Sequence, residues 1–131
     1  MPSPQYDAGH TRLNDIFGQH GTEAVANVAA VAPDLARQIK EHAYGDTYAR
    51  ETLSLRDRSL VTIAGLTALG YPQQQLASHI RGGLNVGLNR DEVVETITHM
   101  ALYAGFPAAV NAALTAKEVF RDLDAQTQES S

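Results

Sequence analysis

The segment Ser78–Ala109, SHIRGGLNVGLNRDEVVETITHMALYAGFPAA, decides the fold of this chain. It predicts one helix, a sharp Gly-Leu-Asn turn at 87–89, and a second helix that ends near Gly105. A glycine commonly closes a helix, and an asparagine followed three residues later by glutamate is typical of a helix start. Pro107 suits the first turn of a further helix. The segment therefore predicts three consecutive helices joined by short turns.

The rest of the chain predicts the same class of structure, because no stretch alternates apolar and polar residues as a strand would. We expect an all-α, single-domain bundle of six to seven helices over residues 1–131, with its core at about 35–121 and a frayed polar tail at 124–131. The predicted helices cover about 8–19, 22–31, 33–43, 54–69, 72–86, 89–104 and 107–123.

Composition excludes several classes of function. The chain has no cysteine, which removes disulfides, thiol redox chemistry and thiolate zinc sites. Its net charge of −5 gives no general attraction for nucleic acid or an anionic membrane. The N-terminus lacks the basic and apolar regions of a secretory signal, and no apolar run is long enough to span a bilayer. We expect a cytoplasmic protein with no nucleic-acid or membrane partner.

Two ionisable residues interrupt the first helix of the opening segment. His79 shares a helix face with Leu76, Ile80 and Gly83, so it is either a hydrogen-bonded packing residue or a functional group in an apolar setting. Arg81 lies on a different side, as a surface residue or as a fork-shaped ligand for a carboxylate.

Further candidate groups lie on the next helix and in an earlier break. Glu95, His99 and Tyr103 are spaced four apart, which fits a solvated helix face or one wall of a site. No metal site is predicted, since the spacing of typical histidine ligand pairs is missing. Tyr44 and Tyr48 flank a glycine where a helix breaks, and the segment either lines a pocket or caps the helix with exposed rings.

The last helix is rich in small side chains. Alanines recur at helical spacing along it, at positions 108, 109, 112, 113 and 116. Small residues allow close approach of another helix, which would favour a core completed by a second subunit. The alternative is that alanine stands there for its helix propensity.

The motifs together resemble the carboxymuconolactone decarboxylase family. An L-x-x-R-x-R-S-L motif spans Leu53–Leu60, and H-I-R-x-G-L-N-x-G spans His79–Gly87. An acidic helix start follows at Asp91–Val93, and H-x-A-x-Y-x-G-x-P-A-A spans His99–Ala109. The resemblance covers nearly the whole chain. It implies an all-α fold with a central antiparallel helix pair, assembled as a homo-trimer or homo-hexamer.

The resemblance also narrows the chemistry. The alkylhydroperoxidase D-like branch of the family uses a C-x-x-C pair, which this chain lacks, so thiol peroxidase activity is excluded. The cysteine-free branch resembles 4-carboxymuconolactone decarboxylase, a carboxy-lyase of aromatic catabolism that needs no cofactor. Tyrosines 44 and 48 stand where typical family decarboxylases have tryptophan. That difference favours the alternative, a small-ligand-binding or differently specific member.

If the chain is such a decarboxylase, the resemblance implies a small carboxylate or lactone substrate and a set of site residues. His79 is the predicted acid/base or oxyanion donor, Arg81 the leading carboxylate anchor, and His99 the third catalytic candidate. The predicted substrate contacts are Arg58, Tyr44, Tyr48 and Tyr103.

Overall fold

Every regular element of the chain is helical in the computed structural model, which describes residues 2–130, and no residue in that range lies in a strand. The α-helices are α1 (Pro4–Phe17), α2 (Gln19–Ala29), α3 (Pro33–Gln38), α4 (Leu55–Leu69), α5 (Gln73–Asn85), α6 (Arg90–Ala104) and α7 (Phe106–Ser130). A π-helical turn, Ile39–Tyr44, follows α3, and a 3₁₀ turn, Thr47–Ala49, precedes α4. The all-α prediction is confirmed. Within 2–130, no helix combines the length and apolarity that crossing a membrane requires.

Helix caps lie where the sequence predicts them. The Asn89 side chain accepts a hydrogen bond from the Glu92 N–H at 2.8 Å, and the Glu92 carboxylate accepts one from the Asn89 N–H at 3.0 Å. Ser54 accepts from the Asp57 N–H at 3.0 Å at the start of α4. Gly87 and Gly105 close α5 and α6 with φ of 116° and 95°, values that glycine adopts without strain. These short-range signals fix the turns of the opening segment.

The chain divides along its sequence into two compact units, Met1–Arg58 and Ser59–Ser131. In the first unit α1 packs directly on the π turn, backbone against backbone. A Cβ at Gly9 would collide with the Lys40 carbonyl oxygen, and one at Gly45 with the Gln5 carbonyl oxygen. Two glycines therefore permit this contact. The single-domain organisation expected from the sequence stays a prediction.

The second unit has its own apolar core, contributed by α4 to α7. The fully buried members include Ile63, Ile80 and Val93, each 0% exposed. The chain reverses at Gly105, and Arg90 at the start of α6 pairs with Asp124 near the end of α7 at 2.8 Å. The two helices are therefore an antiparallel pair.

Three of the five alanines singled out in α7 pack within this unit. Ala109, Ala112 and Ala116 are buried in the core against the neighbouring helices. Larger apolar side chains of α7 are exposed, with Val110 at 53% and Leu114 at 56%. These three alanines thus serve close packing inside one chain, so they carry no argument for a second subunit.

Several helix boundaries differ from the predicted ones: α2 covers Gln19–Ala29 instead of 22–31, and the helix predicted over 33–43 changes to π-helical winding after Gln38. The start of α1 and the end of α7 have a visible cause. Helix α1 begins at Pro4 because Ser3 caps it, accepting from the Tyr6 N–H at 3.0 Å, and Pro4 suits the first turn. Helix α7 continues to Ser130 through the polar segment predicted to fray. Its Asp122 and Asp124 form ion pairs with arginines of α5 and α6, which fix this end of α7 to its neighbours.

Candidate active site

His79 lies on α5, half-buried next to core residues of the second unit. Burial lowers the pKa of its imidazole from 6.5 to about 4, because removal from water penalises the charged form. The ring is therefore neutral at pH 7 and carries one N–H donor and one acceptor nitrogen. A neutral donor in an apolar setting suits stabilisation of a developing oxyanion.

The same pKa makes stability depend on pH. The folded chain resists protonation of His79 while the unfolded chain takes up the proton below about pH 6.5, so stability is lost as pH falls from about 6.5 to about 4. We expect this residue to cost about 2 to 3 kcal/mol of unfolding free energy between pH 7 and pH 4.5. Urea unfolding at both pH values measures it. The His79→Gln variant should lose that component, whereas His20→Gln, at an exposed position, should keep it.

Arg81 is engaged by a residue of another helix. Its guanidinium Nη2 donates to the Asp122 carboxylate at 3.2 Å, with the Arg81 side chain 23% and the Asp122 side chain 61% exposed. The sequence does not mark Asp122 as a partner of Arg81, because no local signal links residues 41 positions apart. A substrate carboxylate would have to replace or join this partner for Arg81 to act as an anchor.

His99 and Tyr103 lie together on the exposed side of α6. Their ring centroids are 5.4 Å apart, and Tyr103 is 76% exposed. The spacing of four thus produces a ring contact, as expected for neighbours on one helix face. Leu102 and Phe106, 75% and 76% exposed, extend this surface along the chain.

Tyr44 and Tyr48 belong to an aromatic cluster in the first unit. Tyr44 is 7% exposed, its ring centroid lies 4.7 Å from that of Tyr48, and Phe17 meets it edge-on at 5.7 Å. Burial, with a smaller contribution from Tyr48, raises the pKa of the Tyr44 phenol above its usual range. The segment is therefore no capping turn with exposed rings.

Arg58 extends the aromatic cluster. Its guanidinium lies 5.9 Å from the Tyr48 ring centroid and donates to the Arg50 carbonyl oxygen at 3.1 Å. The Arg58 Nε–H is buried without a hydrogen-bond partner among residues 2–130. The aromatic face and the carbonyl hold the guanidinium in place.

The structure thus brings together His99 with Tyr103, Arg58 with Tyr48, and Tyr48 with Tyr44. His79 and Arg81 are both on α5 of the second unit. Over the described range, no group of three or more histidine, aspartate or glutamate residues could hold a metal ion. A groove of about 590 Å³ lies between α6 and α7, and its lining includes none of the predicted site residues.

Residues 33–118, which include every predicted site residue, match the carboxymuconolactone decarboxylase family. The chain belongs to this family. It is similar to 4-carboxymuconolactone decarboxylase of Acinetobacter baylyi, with 38% identity over 91% of this chain and 89% of the relative. It is also similar to a nitrosuccinic acid decarboxylase of Metarhizium robertsii, with 29% identity over 90% of this chain and 82% of the relative.

The chain is also similar to an uncharacterized protein of Paracoccus denitrificans, with 32% identity over 72% of this chain and 71% of the relative. The family resemblance predicted from the motifs is confirmed. The matches extend beyond the motifs, because the first two relatives align with about nine tenths of the chain.

Proposed function

We propose that this chain is a cofactor-free decarboxylase of aromatic catabolism, acting on 4-carboxymuconolactone or a related small carboxylated lactone. The observation that carries the proposal is the 38% identity to a 4-carboxymuconolactone decarboxylase along nearly the whole of both chains. The half-buried, neutral imidazole of His79 supports the proposal as well, because it offers an N–H donor that can stabilise a developing oxyanion.

The substrate supplies its own electron sink. In a carboxymuconolactone the saturated carbon that bears the leaving carboxylate is joined through a ring double bond to the lactone carbonyl. The C–C bond to the carboxylate breaks, CO₂ departs, and the electron pair moves through the ring to the carbonyl oxygen. A proton then adds to the carbon next to that carbonyl, which gives the product lactone. The protein has to orient the substrate, stabilise the oxyanion and exclude water.

Nitrosuccinic acid, which gives the second relative its name, has the same arrangement of groups around the carbon that loses CO₂. Nitrosuccinic acid carries a carboxyl group on the carbon that bears the nitro group, and the nitro oxygens accept the electron pair. In both molecules the carbon that loses CO₂ also bears a CH₂–COO⁻ arm. The shared substrate class is therefore a succinate whose carbon 2 carries an electron-accepting group. We propose that this chain recognises that unit.

His79 is proposed as the donor to the oxyanion. General acid catalysis would require the imidazolium form, which a pKa of about 4 makes scarce at pH 7. The neutral N–H needs no such protonation, and its apolar setting strengthens the hydrogen bond to a developing negative charge. The pKa thus favours the oxyanion role over the acid role.

The other predicted roles stay proposals. Arg81 would hold the carboxylate arm of the substrate. This arm would compete with the Asp122 carboxylate for the Arg81 guanidinium. Arg58, Tyr44 and Tyr48 remain predicted substrate contacts carried by the first unit.

We also propose that the chain forms a homo-trimer or homo-hexamer, as the family resemblance implies. The large exposed apolar side chains of α6 and α7 support this, because exposed apolar surface is favourable to bury in a contact with another subunit. They include Leu102, Tyr103, Phe106, Val110 and Leu114. His99 shares the exposed side of α6 with Tyr103, so a second subunit would cover both rings.

Purified protein tests the activity directly. We expect CO₂ release and loss of lactone ultraviolet absorbance with 4-carboxymuconolactone, slower CO₂ release from nitrosuccinate, and none from unsubstituted succinate, which lacks a sink. Saturable binding of the lactone without CO₂ release would favour the alternative, a ligand-binding member without catalysis. Turnover of nitrosuccinate alone would move the substrate from lactones to nitro acids.

A further inference from the structure

The groove between α6 and α7 has the dimensions and lining of a ligand site. Its volume of about 590 Å³ falls within the ~300–1,000 Å³ range of small-molecule pockets. Ile97 and Ala116 are buried, and the partly buried Phe120 also lines the groove. From Ala113 to Gln128 it follows α7 for about 22 Å, at 1.5 Å per residue. The shape is long and its surface mostly apolar.

Two cations of α7 line this groove without a partner. Lys117 and Arg121 are exposed, one helical turn apart, and form no hydrogen bond or ion pair with any residue in the range 2–130. The other eight basic side chains each bond a carboxylate, hydroxyl or carbonyl oxygen: Arg12, Arg37, Lys40, Arg50, Arg56, Arg58, Arg81 and Arg90.

This distribution is selective. The chain has 15 acidic and 10 basic residues, so carboxylates are in excess. Lys117 and Arg121, which bond no oxygen atom within residues 2–130, line the same apolar groove. The nearby carboxylate of Asp124 also lines the groove, but Arg90 engages it at 2.8 Å.

We propose that the groove binds an amphipathic organic acid, with its apolar body against Ile97 and Phe120 and its carboxylate between Lys117 and Arg121. An ammonium and a guanidinium group spaced by one turn suit a single anionic head group. The apolar lining offers burial to a hydrocarbon or aromatic body, which a small dicarboxylate lacks. The ligand therefore differs in class from the proposed substrate, and the inference stands independently of the proposed function.

Decanoate is the probe for this site, with decanol as its uncharged counterpart. Isothermal titration calorimetry should show saturable binding of decanoate at one site per chain and much weaker binding of decanol. The Lys117→Gln/Arg121→Gln double variant should weaken decanoate binding by about tenfold or more, since it removes two hydrogen bonds to a charged group. The Arg37→Gln/Arg50→Gln double variant changes the net charge equally and should bind as the wild type does.

A third variant tests the place of binding. Ala113 lines the groove and is exposed, so Ala113→Glu should fold, as circular dichroism can verify, and should abolish decanoate binding by placing a carboxylate there. Its mass in solution, measured by light scattering, should equal that of the wild type. Undiminished decanoate binding in the Lys117/Arg121 double variant overturns the proposal. So does equal affinity for decanol, or a change of mass in Ala113→Glu, which would assign the groove to a second copy of the chain.

Discussion

Replacing His79 with leucine is expected to lower kcat for 4-carboxymuconolactone by about 100- to 1,000-fold, the usual cost of losing one preorganised oxyanion donor. Leucine fills a comparable volume but offers no N–H. Because the interaction is made mainly in the transition state, KM should change much less than kcat. Steady-state measurement of CO₂ release separates the two.

The His79→Gln variant distinguishes the two roles that the imidazole can play. Glutamine keeps an N–H donor but cannot titrate, so it should retain more of kcat than leucine if His79 donates to an oxyanion. If His79 instead transfers a proton, both variants should lose activity to the same extent. His20→Leu, at an exposed position of α2, serves as the matched control and should leave kcat unchanged. Full activity in His79→Leu would remove His79 from the mechanism.

Replacing Gly9 with alanine is expected to destabilise the first unit by about 3 kcal/mol or more, at the upper end of overpacking costs. The added Cβ meets the carbonyl oxygen of Lys40, which belongs to the π turn and cannot rotate away as a side chain can. Better helix propensity offsets only about 1 kcal/mol of this loss. Urea unfolding followed by near-ultraviolet circular dichroism reports mainly on this unit, because it holds Tyr6, Tyr44 and Tyr48, whereas the other two tyrosines of the chain are exposed.

Gly65 provides the matched control. It is an exposed glycine inside α4, and a Cβ there would meet nothing within 4 Å. Gly65→Ala should therefore stabilise the chain by about 0.5–1 kcal/mol through helix propensity alone. Equal effects of the two substitutions would show that the contact between α1 and the π turn is unimportant.

The helices were predictable because their signals are local. Ser54 with Asp57, Asn89 with Glu92, and the glycine at 87 each act within one turn of the chain, so the sequence determines them without reference to the rest of the fold. The N-terminal boundary was missed although its signal was present, since Ser3 before Pro4 is an ordinary helix start.

Other features depend on contacts between distant residues, which spacing alone does not reveal. The end of α7 is held by Asp122 and its partner Arg81, and neither residue indicates the other in the sequence. Ala109, Ala112 and Ala116 of α7 face the core of their own unit because α5 and α6 pack there. A spacing of three and four identifies a helix face but does not say which helix it will meet.

The candidate site shows the same division. The motif around His79 identified a functional residue, but its neutral state follows from burial, which only the fold determines. Lys117 and Arg121 were not singled out, although their spacing of four beside alanines and Phe120 was visible. The partners of the other eight cations are determined by the fold, so the sequence alone did not set Lys117 and Arg121 apart from them.

The π turn at Ile39–Tyr44 has a consequence for divergence within the family. The Gly45 N–H donates to the Lys40 carbonyl at 2.8 Å, so the turn holds one residue more than an α-helical turn would. The turn accommodates its extra residue locally, so deleting one residue here would restore regular α-helical winding and leave Tyr44 on the same side of the chain. A homologue shorter by one residue at this point would therefore keep the aromatic position but lose the widened turn against whose backbone α1 packs. A change of length, without any point mutation, can thus alter the contact between α1 and this segment.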